Sequence, residues 1–448
     1  MHKWFSKTFD SLRASYWFVP SLMTFGAVFL ALVMIRFDQS SNFETLGSLG
    51  FIYYNQPDGA RALVSTVASS MITVAGTTFS ITLAVLSLTS GQFGPRLLST
   101  FMRDLGNQVV LGTFVSTYVY CLLILRTIHA DSDSIAAFVP HLSIILAIIL
   151  ALVNVGVFIY FIHHTAESIQ ASTITARIAG DLEGMIRRLY PEATPEDEAA
   201  PLTLTPKELD PHTAQAVALT QSESGYLQNL DEDGLLSFAT EHNVTVQCLQ
   251  IVGTFVLEGQ PVALVWPKDA LDDEACSNLS NYFTLGPRRT PAHDLDFLFD
   301  QLSEMALRAL SPGVNDAVTA MRCADRIAQG LLLMVSRRPP TSHRFDEKGS
   351  VRLILPQIDL GNLVEDTLGE FRRFSADNML VSMHLLDTIG TLLVSTDNAD
   401  LRRALLSEAA LIREGTKKVL LEADFARLNR RYEEVVNATG PVFLRPAR

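Results

Sequence analysis

The chain has 448 residues, 48% apolar and 19% charged, with a net charge of −13, and its length predicts at least two folding units. Residues 1–165 hold 8 Lys/Arg against 7 Asp/Glu, so the acidic excess lies in the remainder, where it repels phosphate backbones and sets nucleic acid aside as a partner. Cys121, Cys248, Cys276 and Cys323 stand alone without a C-x-x-C pair, which signals neither a zinc site, nor a redox pair, nor a disulfide framework.

Four apolar segments are long enough to cross roughly 30 Å of hydrocarbon, which takes about 20 helical residues. They run from about Trp17 to Ile35, Ala62 to Ser90, Gln108 to Leu125 and Val139 to Ile162. The first follows Lys3, Lys7 and Arg13 like a signal peptide, yet it is long and ends Val33-Met34-Ile35-Arg36 without small cleavage-site residues; it reads as a retained anchor. Basic residues flank the amino terminus (Lys3, Lys7, Arg13), the second loop (Arg96, Arg103) and the post-membrane segment (Arg177, Arg187, Arg188). The positive-inside bias therefore predicts a multi-pass membrane protein with both termini cytoplasmic.

The second segment is unusual. With Asp58 as N-cap after Pro57, the helix would run from Gly59 to about Ser90, roughly 48 Å at 1.5 Å per residue. Steps of 100° gather Ser65, Ser69, Thr73, Gly76, Ser80 and Ser87 into one stripe, widened by Thr66, Ser70, Thr77 and Ala84. Such a stripe serves close helix packing or the wall of an aqueous path, where hydroxyls replace part of an ion's hydration; a pore built from several subunits uses both. No ionisable residue lies near the middle of any span, which counts against proton-coupled pumps and most carriers of charged substrates. Asn154, in the fourth span, reads as an interhelical hydrogen-bonding residue.

Ser87-Leu-Thr-Ser-Gly-Gln-Phe-Gly-Pro-Arg-Leu-Leu98, then Phe101-Met-Arg-Asp104, and later Leu307-Arg-Ala-Leu-Ser-Pro-Gly-Val-Asn-Asp-Ala-Val-Thr-Ala320, resemble the bacterial predicted-membrane-protein family catalogued as domain of unknown function 2254. The resemblance covers about Trp17 to Arg430, and Ala317 stands where the family pattern has proline. It implies the architecture and no activity. Read physically, Gly91, Gly94 and Pro95 end the long helix, and Arg96 sits at its carboxyl end, where a cation is favoured. Gln92 and Arg96 read as that helix end or as a pore mouth.

From His163 a helix is expected to about Leu189. His163, His164 and Glu167 do not form a metal-binding H-E-x-x-H pattern and read as interfacial polar residues. Pro191 to Pro211 is acidic and proline-rich, the composition of a linker or mobile loop. Gly225–Asp231 and Val244–Trp266 alternate like strands joined by tight turns at Gly253 and Gly259. The G-x-F-V-x-x-G-x-P-V pattern from Gly253 is similar to barrel-sandwich lipoyl-type domains, yet no lysine lies between Gly225 and Trp266 to carry a cofactor. Helices follow: Phe297 to Leu310, a Ser311-Pro312-Gly313 turn, a helix from about Ala317 capped by Asn315 or Asp316, and amphipathic stretches over Gln357–Val394 and Asn398–Val436.

Arg288, Arg289, Arg308, Asn315 and Asp316 form a turn region that either serves structure alone or holds a small anionic ligand through arginine forks. Phosphate-binding G-x-x-x-x-G-K, G-x-G-x-x-G and G-x-S-x-G motifs are missing, which argues against an enzyme and leaves one using the Arg288–Asp316 region as a third reading; no cofactor or metal is expected. The sequence thus predicts four transmembrane helices (1–165), a juxtamembrane helix and linker (166–220), a small β-barrel-like part (221–268) and a mainly helical part (269–448), the last two forming an α+β soluble domain. The functional expectation is a homo-oligomeric, channel-like or solute-permeation protein with a cytoplasmic regulatory domain; the alternative is a membrane-anchored scaffold or ligand sensor without a pore, whose stripe is buried inside one bundle.

Overall fold

The computed structural model describes residues 16–40, 56–93, 104–130, 138–192, 216–267 and 273–437. The chain divides into two compact units, Met1–Thr173 and Ile174–Arg448.

Among the described residues of the first unit, four helices are long and apolar enough to cross a membrane: α1 (Phe18–Ser40), α2 (Pro57–Phe93), α3 (Leu105–Thr127) and α4 (His141–Ser168). Each outruns its apolar core because polar end residues join the helix. The sequence makes Asp58 the cap of α2; the structure instead starts the helix at Pro57, a position suited to a residue with no N–H. Asp58 then acts from the first turn, where a carboxylate favours the helix dipole.

α3 is the hub, packing against α1, α2 and α4. Gly112 explains its close approach to α1, since a Cβ there would lie 2.5 Å from Met23 Sδ and 3.2 Å from Pro20 Cα. Ala27, Ala31, Ala60, Val64, Ala68, Tyr120, Ile124 and Ala147 form one core cluster; Met71, Ala75, Leu111, Phe114 and Phe161 form another. Small residues on the facing helices let the backbones come close. Free Cys121 is buried within the first cluster.

The sequence reads one helix from His163 to Leu189; the structure breaks it. α4 ends at Ser168, and α5 spans Ala171–Leu189. The Ser168 hydroxyl donates to Thr165 O at 2.9 Å, a local bond that competes with helix continuation. Ile174, Ile178, Leu182 and Ile186 make one buried stripe of α5, and Leu182 packs where a Cβ on Gly330 would clash.

In the second unit the strands are β1 (Val217–Thr220), β2 (Gly225–Leu230), β3 (Thr245–Cys248), β4 (Phe255–Val256), β5 (Pro261–Trp266), β6 (Phe283–Gly286), β7 (His343–Phe345) and β8 (Val351–Ile354). They form a five-stranded sheet in the order β1-β5-β3-β8-β7 and a three-stranded sheet in the order β4-β2-β6. The expected barrel-like part is therefore two open sheets, with no closed barrel among the described residues. Nor are strands confined to 221–268, since β8 comes from the helical half to pair in parallel with β3. Helix α6 (Glu232–Glu241) and helix α7 (Asp273–Ser280) bring Leu235, Phe238 and Leu279 onto a core of Leu227, Val246, Val256, Val265 and Leu353.

The helical part contains α8 (Leu295–Ala309), α9 (Ala317–Val335), α10 (Leu360–Val364), a π turn (Glu365–Gly369), α11 (Glu370–Ser375), α12 (Met379–Ser395), α13 (Ala399–Lys417) and α14 (Glu422–Asn437). The two long amphipathic stretches read from sequence are each interrupted, the first at Asn378, whose side chain caps α12 by accepting from Val381 N. α8 packs on α9, α9 on α12, and α12 on α13 and α14.

Candidate functional site

At 37 residues, α2 is about 55 Å long, well beyond the roughly 30 Å hydrocarbon thickness. Ala60, Val64, Ala68, Met71 and Ala75 face the bundle and are buried. Ser65, Ser69, Thr73, Gly76, Thr77, Ser80 and Ser87 are all exposed on the opposite side. The structure thus brings the seven stripe residues onto one surface and turns it away from the chain's own bundle. The hydroxyls are not left open: Thr66, Ser70, Thr73, Thr77 and Ser80 each donate to the carbonyl four residues earlier, at 2.7–3.0 Å. Gln92 lies in the last turn of α2; Arg96, like Lys3, Lys7, Arg13 and Arg103, lies outside the described residues.

Exposed surfaces elsewhere in the unit differ. α1 shows Leu22, Phe25, Phe29 and Leu32 outward, and α4 shows Leu152, Val155, Ile159 and Ile162, as lipid-facing helices do. α2 offers small hydroxylated residues over much of the same depth.

Charged groups of the unit hold helix ends. Asp38 accepts the N–H groups of Leu142 and Ser143 at 3.0 Å, and Arg61 donates to Ile128 O at the end of α3. At the other ends of α3 and α4, Asp104 caps α3 through Asn107 N and meets His164 Nε2 at 3.1 Å. His163 reaches Glu167 at 3.3 Å on the exposed face, so the adjacent histidines point to different partners. Midway, Asn154 Nδ2 donates to Thr117 Oγ1 at 2.9 Å and to Leu150 O at 2.7 Å. That bond ties α4 to α3, the role its sequence position suggests; such contacts contribute about 0.6–2 kcal/mol in a membrane.

The soluble candidates do not converge. Arg289 is bidentate to Asp294 at 2.7 and 2.8 Å and reaches Asp300 at 2.5 Å. Asp294 is 1% exposed and also caps α8 through Phe297 N. The guanidinium is therefore engaged by carboxylates, leaving its fork closed to an incoming anion. Arg288 is exposed and its carbonyl accepts from Gln228 Nε2. Arg308 lies in the last turn of α8 and Asn315 and Asp316 follow its far end, about 22 Å along the helix from its start at 1.5 Å per residue. There Arg308 pairs with Glu304 at 3.3 Å, and Asn315 takes a left-handed φ of 49°. Asp316 caps α9 by accepting Thr319 N and Thr319 Oγ1, and the Thr319 hydroxyl bond holds its carboxyl below the usual range. Ala317 is the first residue of α9, where proline is also well accommodated, so alanine there leaves the turn intact.

Two features escaped the sequence reading. Asp296, beside Asp294, Asp300 and Asp366, is pushed up to about 6, first by burial and then by those carboxylates. A cleft of about 620 Å3 lies among Arg337, Asp359, Glu365, Asn398, Arg403 and Glu408, beside the π turn. The cleft gathers residues from distant segments, and although Asp294, Asp296 and Asp300 are close in sequence, their spacing does not reveal the burial that perturbs Asp296 or the approach of Asp366. The described residues contain no cluster of His, Cys, Asp and Glu able to hold a metal ion.

Among the described residues, four apolar membrane-length helices followed by a mixed helical and sheet unit define a membrane protein with several candidate spans. Its sequence matches the family model "Predicted membrane protein (DUF2254)" over residues 13–391, and the chain belongs to that family. An uncharacterized protein of Mycobacterium tuberculosis is 30% identical over 412 residues, covering 90% of this chain and 76% of the relative. One from Mycobacterium bovis is 29% identical over the same coverage. No solved structure matches the chain.

Proposed function

We propose that the protein is a homo-oligomeric, channel-like or solute-permeation protein of the bacterial inner membrane, with both termini cytoplasmic and the soluble unit regulatory. The observation that supports this is the exposed stripe Ser65–Ser69–Thr73–Gly76/Thr77–Ser80–Ser87 on the face of α2 that its own bundle leaves free. Thr66, Ser70, Thr73, Thr77 and Ser80 donate to their own helix, but a hydroxyl oxygen also accepts, and a second α2 or a water column uses that capacity where lipid does not. Copies of α2 around a common axis place these hydroxyls along a path whose described mid-span residues carry no ionisable group. A path so lined suits a neutral solute or a weakly bound ion. Reconstitution in planar bilayers tests it: conductance or solute flux is expected, and Thr73→Phe or Ser80→Phe blocks it. Silence across voltage, tension and candidate ligands removes the permeation reading.

A further inference from the structure

A cavity of about 130 Å3 lies where α1 begins and α4 ends, lined by Tyr16, Trp17, Phe79, Leu86, Asn107 and Thr165 among others. Two buried polar atoms in its wall have no partner: Asn107 Oδ1 and Thr165 Oγ1, on residues 5% and 9% exposed. The contrast with neighbouring hydroxyls is informative. Thr82 donates to Thr78 O and Ser168 to Thr165 O, as the outer hydroxyls of α2 do to their own helix, but Thr165 Oγ1, on a residue that lines the cavity, bonds to no helix carbonyl. Buried polar atoms are ordinarily satisfied, so an orphaned pair in one wall marks a missing partner. The volume suits about four water molecules at ~30 Å3 each. Of the other lining groups, the Thr82 and Ser168 hydroxyls already donate to their own helices and most of the rest is aromatic or aliphatic, so the wall offers few of the two to four polar contacts each water requires.

A second space adjoins it. Because α1 and α2 both pack on α3, a groove of about 460 Å3 remains between them, lined by Pro20, Thr24, Phe25, Gly76, Leu111 and Val115 among others. It lies within the membrane-spanning length of these helices. Trp17 and Phe79 line both spaces, their rings 6.2 Å apart at 43°. An apolar channel open to the bilayer side thus leads past two aromatic rings to a recess with an unmet acceptor and an unmet hydroxyl.

We propose that groove and recess bind one amphiphile with a single alkyl chain and a hydroxyl-bearing ester head, the chemistry of a monoacylglycerol. The chain lies between α1 and α2; a head hydroxyl donates to Asn107 Oδ1, and an ester oxygen accepts from Thr165 Oγ1. Bilayer hydrocarbon is as apolar as the groove, so the chain gains little on transfer, and selectivity comes from the two polar contacts. Each then enriches the ligand over bulk lipid by roughly 3- to 20-fold.

Trp17 is the reporter, since the chain has three tryptophans and Trp4→Phe with Trp266→Phe leaves it alone. Full-length protein in phosphatidylcholine vesicles is titrated with chain-brominated monoacylglycerol and, separately, with chain-brominated phosphatidylcholine. Saturable quenching at low mole fraction is expected for the monoacylglycerol only, its midpoint moving about 3- to 20-fold with Asn107→Leu and with Thr165→Val. Thr24→Leu, which fills the groove from the α1 side and alters no residue of the recess or of the α2 stripe, of which only Gly76 lines the groove, is expected to abolish saturation, so the idea stays testable if an Asn107 variant fails to fold. Quenching linear in mole fraction for both lipids and unchanged by all variants overturns the proposal and leaves the recess to water. The readout is independent of conductance, so this site and the permeation reading fail separately.

Discussion

The carboxylate of Asp38, near the end of α1, accepts both the backbone N–H of Ser143, at 3.0 Å, and its hydroxyl, at 2.5 Å. It therefore caps a helix that begins more than a hundred residues later, and it does so at the membrane boundary, where an acid answers the positive end of α4's dipole. The α4 N-cap residue, Pro140, makes no side-chain cap bond, so Asp38 substitutes for it from another helix. Asp38→Ala should lower the stability of the membrane unit by about 1–2 kcal/mol, read as a lower thermal midpoint in detergent. Asp38→Asn, which keeps an acceptor and loses the charge, should cost less. Equal midpoints for Asp38→Ala and the parent would show the cap to be energetically idle.

The stripe on α2 makes a positional prediction about oligomers. In a Cys276→Ser background, which leaves the buried cysteines Cys121, Cys248 and Cys323, Ser69→Cys and Thr77→Cys should label with water-soluble thiol reagents or cross-link between copies on oxidation. Ala68→Cys, one residue away but only 4% exposed, should do neither. Reactivity that ignores this periodicity, or silence at Ser69 and Thr77, would place the stripe against lipid.

Asp296 gives the soluble unit a pH signature. Burial and the facing carboxylates Asp294, Asp300 and Asp366, only partly offset by Arg289, push it up to about 6, and Tyr190, which faces it, is pushed up to about 12, chiefly by burial. Because the folded state binds this proton more tightly than the unfolded chain, with an ordinary value of 3.8, stability falls as pH rises between those two values and stays reduced above them. Asp296→Asn removes the charge that is penalised at neutral pH. It should raise the melting temperature of the soluble unit at pH 7–8 and change it little near pH 4, where the carboxyl is already protonated. A variant as unstable as the parent at pH 7 but stabilised at pH 4 would reverse the assignment.

Much of the membrane half was legible because hydrocarbon imposes a length and a composition on every span, and polarity patterns survive in one dimension. The interhelical role of Asn154 followed for the same reason: an amide in an apolar span has few alternatives. What the stripe faces was not legible, since periodicity says which residues share a side and nothing about which side meets the bundle. In the soluble half, β2, β3 and β5 carried alternation that could be read. β7 and β8 are three and four residues long, and β8 joins its sheet across about a hundred residues of chain. Arg289 shows the remaining limit. A fork-shaped cation beside a turn suggests an anion site; Asp294 and Asp300, five and eleven residues on, claim it instead.

Gly253 and Gly259 separate backbone strain from packing at that same buried pair. Both have left-handed φ, 101° and 77°, so an alanine at either strains the turn by roughly 1 kcal/mol. At Gly259 a Cβ meets nothing within 4 Å; at Gly253 it would lie 2.3 Å from Asp294 Oδ2. Relieving that clash means moving a carboxylate that is 1% exposed and holds both Arg289 and the first turn of α8. Displacing one partner of a buried pair costs about 3–5 kcal/mol. Gly259→Ala should therefore lose roughly 1 kcal/mol and Gly253→Ala at least twice as much, measured by denaturant unfolding of the full-length protein. Adding Asp294→Asn to Gly253→Ala should not recover the loss, because the amide is as bulky as the carboxylate and pairs less well with Arg289. Equal losses at the two glycines would mean that the Asp294–Arg289 pair yields freely and contributes little to holding α8 in place.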